Sequence, residues 1–269
     1  MKIALFDSGV GGLSVLHHAR KVLPKADFIY YADEAHVPYG EKTPEQIRGF
    51  LREIMGFFLE KGADAVVIAC NTASSVMSKE FRAEFPLPIV AMEPAVKLAL
   101  DLYPSARILA AATEVTVKGR KFADLLSNLN SQNVQTIALP GLVRLAERGE
   151  FGGEAARDYL RRALENVTPF DVLVLGCTHF NYFKSDFLAL NSNLKFVDGN
   201  SGTIAHLARK LGLEIHSNSN GKTENLAREV SNLNCENVGF YFSGESVGDK
   251  EREFIGRCLE RLEHEYKIN

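Results

Sequence analysis

Nine short apolar runs, most of them rich in β-branched residues, alternate with stretches of helical periodicity along the chain. They are Lys2–Phe6, Phe28–Tyr31, Ala65–Ala69, Ile89–Ala91, Ile108–Ala111, Val134–Ala138, Val172–Leu175, Lys195–Val197 and Gly239–Phe242. Helical patterns fall between most of them, as at Leu13–Val22, Pro44–Glu60 and Ile204–Leu211. Strands that are apolar throughout, separated by helices, predict α/β architecture with parallel sheets covered on both faces. In such folds ligands sit beyond the carboxyl ends of the strands. The polar stretch His216–Thr223 reads as an exposed loop, and Glu251 to Glu253 as a solvated helix face.

A weak internal repeat sharpens this. Ala65–Thr72 reads A-V-V-I-A-C-N-T and Val172–His179 reads V-L-V-L-G-C-T-H. Each is an apolar strand, a small residue, a cysteine, two polar residues and the start of a helix. Asp7, at the end of an earlier strand, precedes Cys70 by 63 positions, and Thr113 precedes Cys177 by 64. Two related α/β units are expected, with their strand ends converging on one cleft that carries a cysteine on each wall.

Bulk properties narrow the chemistry. A chain of 269 residues can bury one large or two smaller cores. Its net charge of -3 gives no basic footprint for nucleic acid. No apolar run is long enough to span a bilayer, and the N-terminus turns acidic at Asp7, unlike a signal peptide. A cytoplasmic enzyme without nucleic-acid or membrane partners is therefore expected. In that compartment the four cysteines should be free thiols. None sits at CxxC spacing, so no metal site is expected.

Cysteines placed where a strand hands over to a helix can be stabilised as thiolates by backbone N–H groups. One thiolate can remove a proton from a tetrahedral carbon while a thiol on the opposite face returns one, inverting the centre. Reverse turnover exchanges the two roles. The alternative is a pair of buried structural cysteines. Asp7-Ser8-Gly9-Val10-Gly11-Gly12 ends the first strand and opens a helix. Its glycines allow close backbone approach to a ligand, and Asp7 or Ser8 can equally cap the helix. It lacks the spacing of a nucleotide-binding loop. Pro38-Tyr39-Gly40 is a turn whose backbone or hydroxyl can reach a ligand. Asn71, Thr72 and Thr178 can cap helices and bind substrate. His179 can assist proton transfer at Cys177. Glu147 reads as a surface residue, and Cys235 and Cys258 as structural.

The motifs DSGVGG at Asp7–Gly12, VPYG at Val37–Gly40, ACNTAS at Ala69–Ser74, EP at Glu93–Pro94 and LGCTHF at Leu175–Phe180 occur in one order across most of the chain. In these the chain resembles the aspartate/glutamate racemase superfamily, within it the bacterial glutamate racemases. The resemblance covers residues 1–210 well and the rest more loosely. It implies two flavodoxin-like parallel-sheet domains related by pseudo-symmetry, with the active site between them. The first domain would be 1–94 plus 208–269 and the second 95–207. It implies interconversion of L- and D-glutamate without cofactor or metal, supplying D-glutamate for peptidoglycan, by an enzyme that forms a homodimer. By the family pattern Cys70 deprotonates D-glutamate and Cys177 L-glutamate, assisted by Asp7 and His179. Ser8, Tyr39, Gly40, Asn71, Thr72 and Thr178 match substrate-binding positions, Thr113 the equivalent position in the second unit, and Glu147 an acid near the site.

Several positions depart from that pattern. Glu34 and His36 stand where Ser or Thr and Arg are common, Ala112 where Gly is usual, Gly119 and Phe122 where Ser and Tyr are common, and Arg144 where Pro is often seen. None removes a catalytic group. Two other functions remain open at this level: racemisation of aspartate or another amino acid, and a two-domain carboxylate-binding protein whose thiols are incidental.

Overall fold

The computed structural model describes residues 1–129, 132–216 and 237–268. Its strands are β1 (Lys2–Asp7), β2 (Asp27–Ala32), β3 (Ala65–Ile68), β4 (Ile89–Ala91), β5 (Ile108–Ala112), β6 (Val134–Ala138), β7 (Val172–Leu175), β8 (Lys195–Val197), β9 (Val238–Phe242) and β10 (Glu245–Ser246). All nine predicted strands form, with ends shifted by at most a residue. The two-residue β10, antiparallel to β9, was not foreseen. Helices Leu13–Val22 and Pro44–Glu60 lie where periodicity placed them, while the helix expected at Ile204 begins at Asn200. Residues 217–223 of the expected loop, and Cys235, lie outside the described residues.

The strands form two sheets, ordered β10-β9-β2-β1-β3-β4 and β6-β5-β7-β8. Every ladder except β9–β10 is parallel. Matching β1 to β5, β2 to β6, β3 to β7 and β4 to β8 makes the second order a copy of β2-β1-β3-β4. The repeat in sequence is thus a repeat in topology. Registers agree too: Phe6 pairs with Ile68, and Ala111 with Leu175, so each cysteine lies two residues past the last pair. In both sheets strand order reverses between these neighbours, which is where doubly wound sheets open a crevice.

Apolar residues on both faces of each strand explain why the sheets are covered on both sides. On β1, Ile3 and Leu5 enter one core while Ala4 and Phe6 enter another. The Ile3 side is shared between sheets. It contains Leu109, Ala111, Leu173 and Leu175 from the second sheet, with Phe180, Tyr182 and Phe183. Each such buried side chain stabilises the fold by about 1.5–3 kcal/mol, so the two units are joined by a common interior.

The chain leaves the first sheet after β4, through Met92–Ala95, and returns after β8, at Asp198–Gly199. These crossings lie side by side. A Cβ on Gly199 would sit 3.1 Å from the Glu93 carbonyl oxygen, so only glycine fits there without displacement. The Asn200–Leu211 helix then packs back on the first unit, where Lys210 Nζ donates to the Ile89 carbonyl at 3.3 Å.

Candidate active site

The carboxyl ends of β1, β3, β5 and β7 meet around a cavity of about 570 Å³. Cys70 and Cys177 both line it, as do Ser8, Tyr39, Gly40, Asn71, Thr72, Thr113, Thr178 and His179. The three described cysteines, Cys70, Cys177 and Cys258, are free thiols.

Each thiol at the cavity has its own chain of polar groups. Cys70 caps the helix Asn71–Val76 with its sulfur, which accepts from Ala73 N at 3.5 Å. Asn71 and Thr72 therefore occupy the first turn and are not the caps. Cys70 Sγ also lies 3.5 Å from Ser8 Oγ, whose hydroxyl is 3.4 Å from Asp7 Oδ1. Asp7 accepts from Gly9 N at 3.1 Å and from Thr178 Oγ1 at 3.0 Å. Neither Asp7 nor Ser8 caps the following helix, whose cap is Gly12 without a side-chain bond. Cys177 Sγ is 3.5 Å from His179 Nδ1, and His179 Nε2 meets the Glu147 carboxylate in a very short contact. Glu147 also accepts from Val10 N at 3.1 Å. Its side chain is only 12% exposed, so its expected place on the surface is corrected: the glycine loop of the opposite unit covers it.

That loop is made of glycine for room. A Cβ on Gly11 would lie 2.5 Å from His179 Nδ1 and nearer still to Thr178 Oγ1, and one on Gly9 would overlap the Glu147 carboxylate. The close approach is to side chains of the second unit. Tyr30 and Tyr182 hold the loop from beneath, donating to the carbonyls of Gly9 and Val10 at 2.6 and 2.7 Å.

The environments of the two walls differ. Burial, reinforced by the Asp7 carboxylate, pushes the Cys70 thiol up to about 12, against the pull of Ala73 N–H and Ser8. The Ala73 N–H at the start of the helix does favour the Cys70 thiolate, as expected, but burial and Asp7 outweigh it. Burial also raises Asp7 to about 6, although His179, Gly9 N–H and Thr178 oppose it. Burial works against a charge on His179, but Glu147 and Cys177 outweigh it and hold the proton affinity of the imidazole well above its ordinary value.

A further hydrogen bond crosses between the units, and others shape each wall. Thr72 Oγ1 and Thr113 Oγ1 share a hydrogen bond of 2.8 Å, and Thr113 caps the helix Glu114–Lys118. The Tyr39 hydroxyl donates to Asp33 Oδ2 at 2.6 Å, which leaves the backbone of the Tyr39–Glu41 turn as the group available to a ligand. Asn71 donates to Met92 Sδ at 3.3 Å, while its Oδ1 is buried without a partner in the chain. Buried acceptors of this kind normally find a donor, so a ligand N–H group fits beside it.

Asp33, not singled out by the sequence, directly follows β2, one residue beyond Ala32, which pairs with Asp7 at the end of β1. It accepts from Tyr39 and Ser243 and bonds His36 at 2.9 Å. His36 in turn stacks on Phe50 with ring centroids 3.7 Å apart.

The fold and this site define the class, a two-sheet α/β enzyme of the racemase type. The chain belongs to the Asp/Glu/hydantoin racemase family, whose model matches residues 14–207. It is 46% identical over 270 residues to a glutamate racemase of Campylobacter concisus (strain 13826), covering 98% of each chain. It superimposes on the crystal structure of glutamate racemase from Campylobacter jejuni with a TM-score of 0.76 and 27% identity, covering 97% of this chain and 98% of that one. The Escherichia coli enzyme, crystallised with L-glutamate and the activator UDP-MurNAc-ala, gives 0.75 and 28% over 92% and 99%.

Proposed function

We propose that this protein is a glutamate racemase that inverts the α-carbon by two-base catalysis, with Cys70 and Cys177 as the bases. The observation that carries the reading is that both thiols line one cavity, each backed by a separate hydrogen-bonded acid. The names of the relatives support glutamate as substrate, and the L-glutamate bound to the Escherichia coli neighbour supports the cleft as its place.

In the direction from L to D, Cys177 as thiolate takes the α-proton and the Cys70 thiol delivers one to the opposite face. The α-C–H bond broken is replaced by a new one, and the enzyme is left with Cys177 protonated and Cys70 ionised. The reverse reaction begins from that state. Glu147 holds His179 so that Nδ1 addresses the sulfur, and an imidazolium there stabilises the Cys177 thiolate. Cys70 needs a cation to ionise. At about 4 Å and an effective dielectric of about 20, one positive charge contributes roughly 4 kcal/mol. The substrate ammonium is of the right sign and size. Hydrogen-bond donors from Thr72, Thr113 and backbone N–H groups around the cavity would hold the carboxylate that takes up carbanion charge.

Within this reading the chain forms two domains, the first completed by the C-terminal segment that returns with the Asn200–Leu211 helix, the protein acts in the cytoplasm as a homodimer, and its D-glutamate serves peptidoglycan. These points rest on the family resemblance. The test of function is circular dichroism of L-glutamate, D-glutamate and both aspartates with wild type, Cys70→Ala and Cys177→Ala. Glutamate should racemise and aspartate should not, and either substitution should abolish turnover. Retention of more than about a hundredth of the activity in either variant would refute the two-base assignment, since one missing acid–base group is worth about 10²–10⁴-fold.

A further inference from the structure

Two charged residues at the cavity come from opposite units. Glu41 ends the Tyr39–Glu41 turn of the first, and Arg144 lies in the Pro140–Glu147 helix of the second. Both line the cavity, both are about half exposed, and they form a close ion pair across 103 residues of sequence. The other lining pair, Lys118 with Glu114 at 2.8 Å, lies within a single helix of the second unit; Glu114 also feels the Arg144 charge, but it makes no tie to the first unit. Glu41 shares its turn with Tyr39 and Gly40. Arg144 shares its helix with the lining residues Pro140 and Val143, and stands one turn before Glu147. The pair therefore ties the substrate-facing turn to the helix that holds His179.

We infer that the Glu41–Arg144 ion pair is a strap across the mouth of the cavity, and that Arg144 is the residue that receives an incoming dicarboxylate by exchanging Glu41 for a substrate carboxylate. The inference rests on the reading of the cavity as a glutamate site and adds a specificity-determining residue to it. Exchange is chemically even: a guanidinium binds either carboxylate with the same planar geometry. It is also easy, because an exposed ion pair biases an equilibrium by only about two- to fivefold. With the α-carboxylate taken by the Thr72, Thr113 and backbone donors, only a side-chain carboxylate is left to replace Glu41, so the strap favours acidic amino acids over their amides at the point of admission.

The two cavity thiols report on the mouth directly. Wild type, Glu41→Gln, Arg144→Ala and the double variant are treated with iodoacetamide, which is neutral, and iodoacetate, which is anionic. Alkylation of the Cys70 and Cys177 peptides is timed by mass spectrometry. Breaking the strap in any variant should raise the iodoacetamide rate about two- to fivefold. The ratio of iodoacetate to iodoacetamide rates should rise in Glu41→Gln, where Arg144 is released, and fall in Arg144→Ala. KM for L-glutamate should move inversely to that ratio. An unchanged iodoacetamide rate in all three variants would overturn the strap. A ratio that stays fixed, or shifts in the same direction in both single variants, would overturn the role of Arg144. Should wild type fail to racemise glutamate, the substrate reading fails, while alkylation still decides whether the mouth is strapped.

Discussion

Replacing Glu147 by Gln keeps an oxygen for Val10 N–H and a group in reach of His179, and removes only the charge. The imidazolium at His179 then loses the partner that outweighs its burial. Hydrogen bonds to charged groups contribute about 1.5–3 kcal/mol, which converts to roughly 10- to 150-fold in rate if that charge develops in the transition state. Because the two enantiomers are equal in free energy, kcat/KM must fall equally from both sides. The asymmetry appears in isotope effects. With the Cys177 side slowed, transfer between that sulfur and carbon limits the reaction. The primary deuterium effect on kcat/KM should grow for α-deuterated L-glutamate, whose deuterium goes to Cys177. It should shrink for α-deuterated D-glutamate, whose deuterium goes to Cys70 before the slow step. Circular dichroism with the four labelled and unlabelled substrates measures this. A Glu147→Gln rate within twofold of wild type, or isotope effects that change alike in both directions, would refute the linkage of Glu147 to Cys177 through His179.

Gly11→Ala would push a methyl group into Thr178 and His179, so melting temperature and racemisation should both fall. Overpacking of this kind costs about 1–3 kcal/mol, and a variant with unaltered melting and activity would place the glycine loop wrongly. Glu34 has a buried Oε1 without a partner, and burial followed by the Glu147 carboxylate raises it to about 8. Because its folded-state value exceeds the unfolded one, its contribution to stability is complete below the unfolded value and is lost as pH rises through about 8. Urea unfolding should show stability declining between about pH 6 and 9 in wild type, above the window of Asp7, which closes near 6. Glu34→Gln should flatten that decline, and a variant with the wild-type slope would exclude Glu34 as its source.

The strands were legible because burial on both faces writes itself into the sequence as uninterrupted apolar runs, and the paired thiols because a duplicated topology preserved their spacing. What escaped depends on contacts that no period records. Glu147 has the sequence signature of a solvated helix position and is largely covered because Gly9 of the other unit leaves room for it. The Tyr39 hydroxyl was a candidate ligand contact, and the buried carboxylate of Asp33 claims it. Cys70 does stand at a helix start, yet the pull of that position on the thiol is overridden by burial and by the charge of Asp7, which only the fold brings near. Strand β10 is too short to have a pattern.

The crossings at Glu93 and Gly199 have a mechanical consequence. Both passages of the chain between the units lie at one place, and the units also share the interior around Ile3, Leu5, Leu109 and Leu175. Their relative position is therefore fixed covalently at one edge and by packing beyond it. That double constraint keeps Cys70 and Cys177, which belong to different units, facing one cavity.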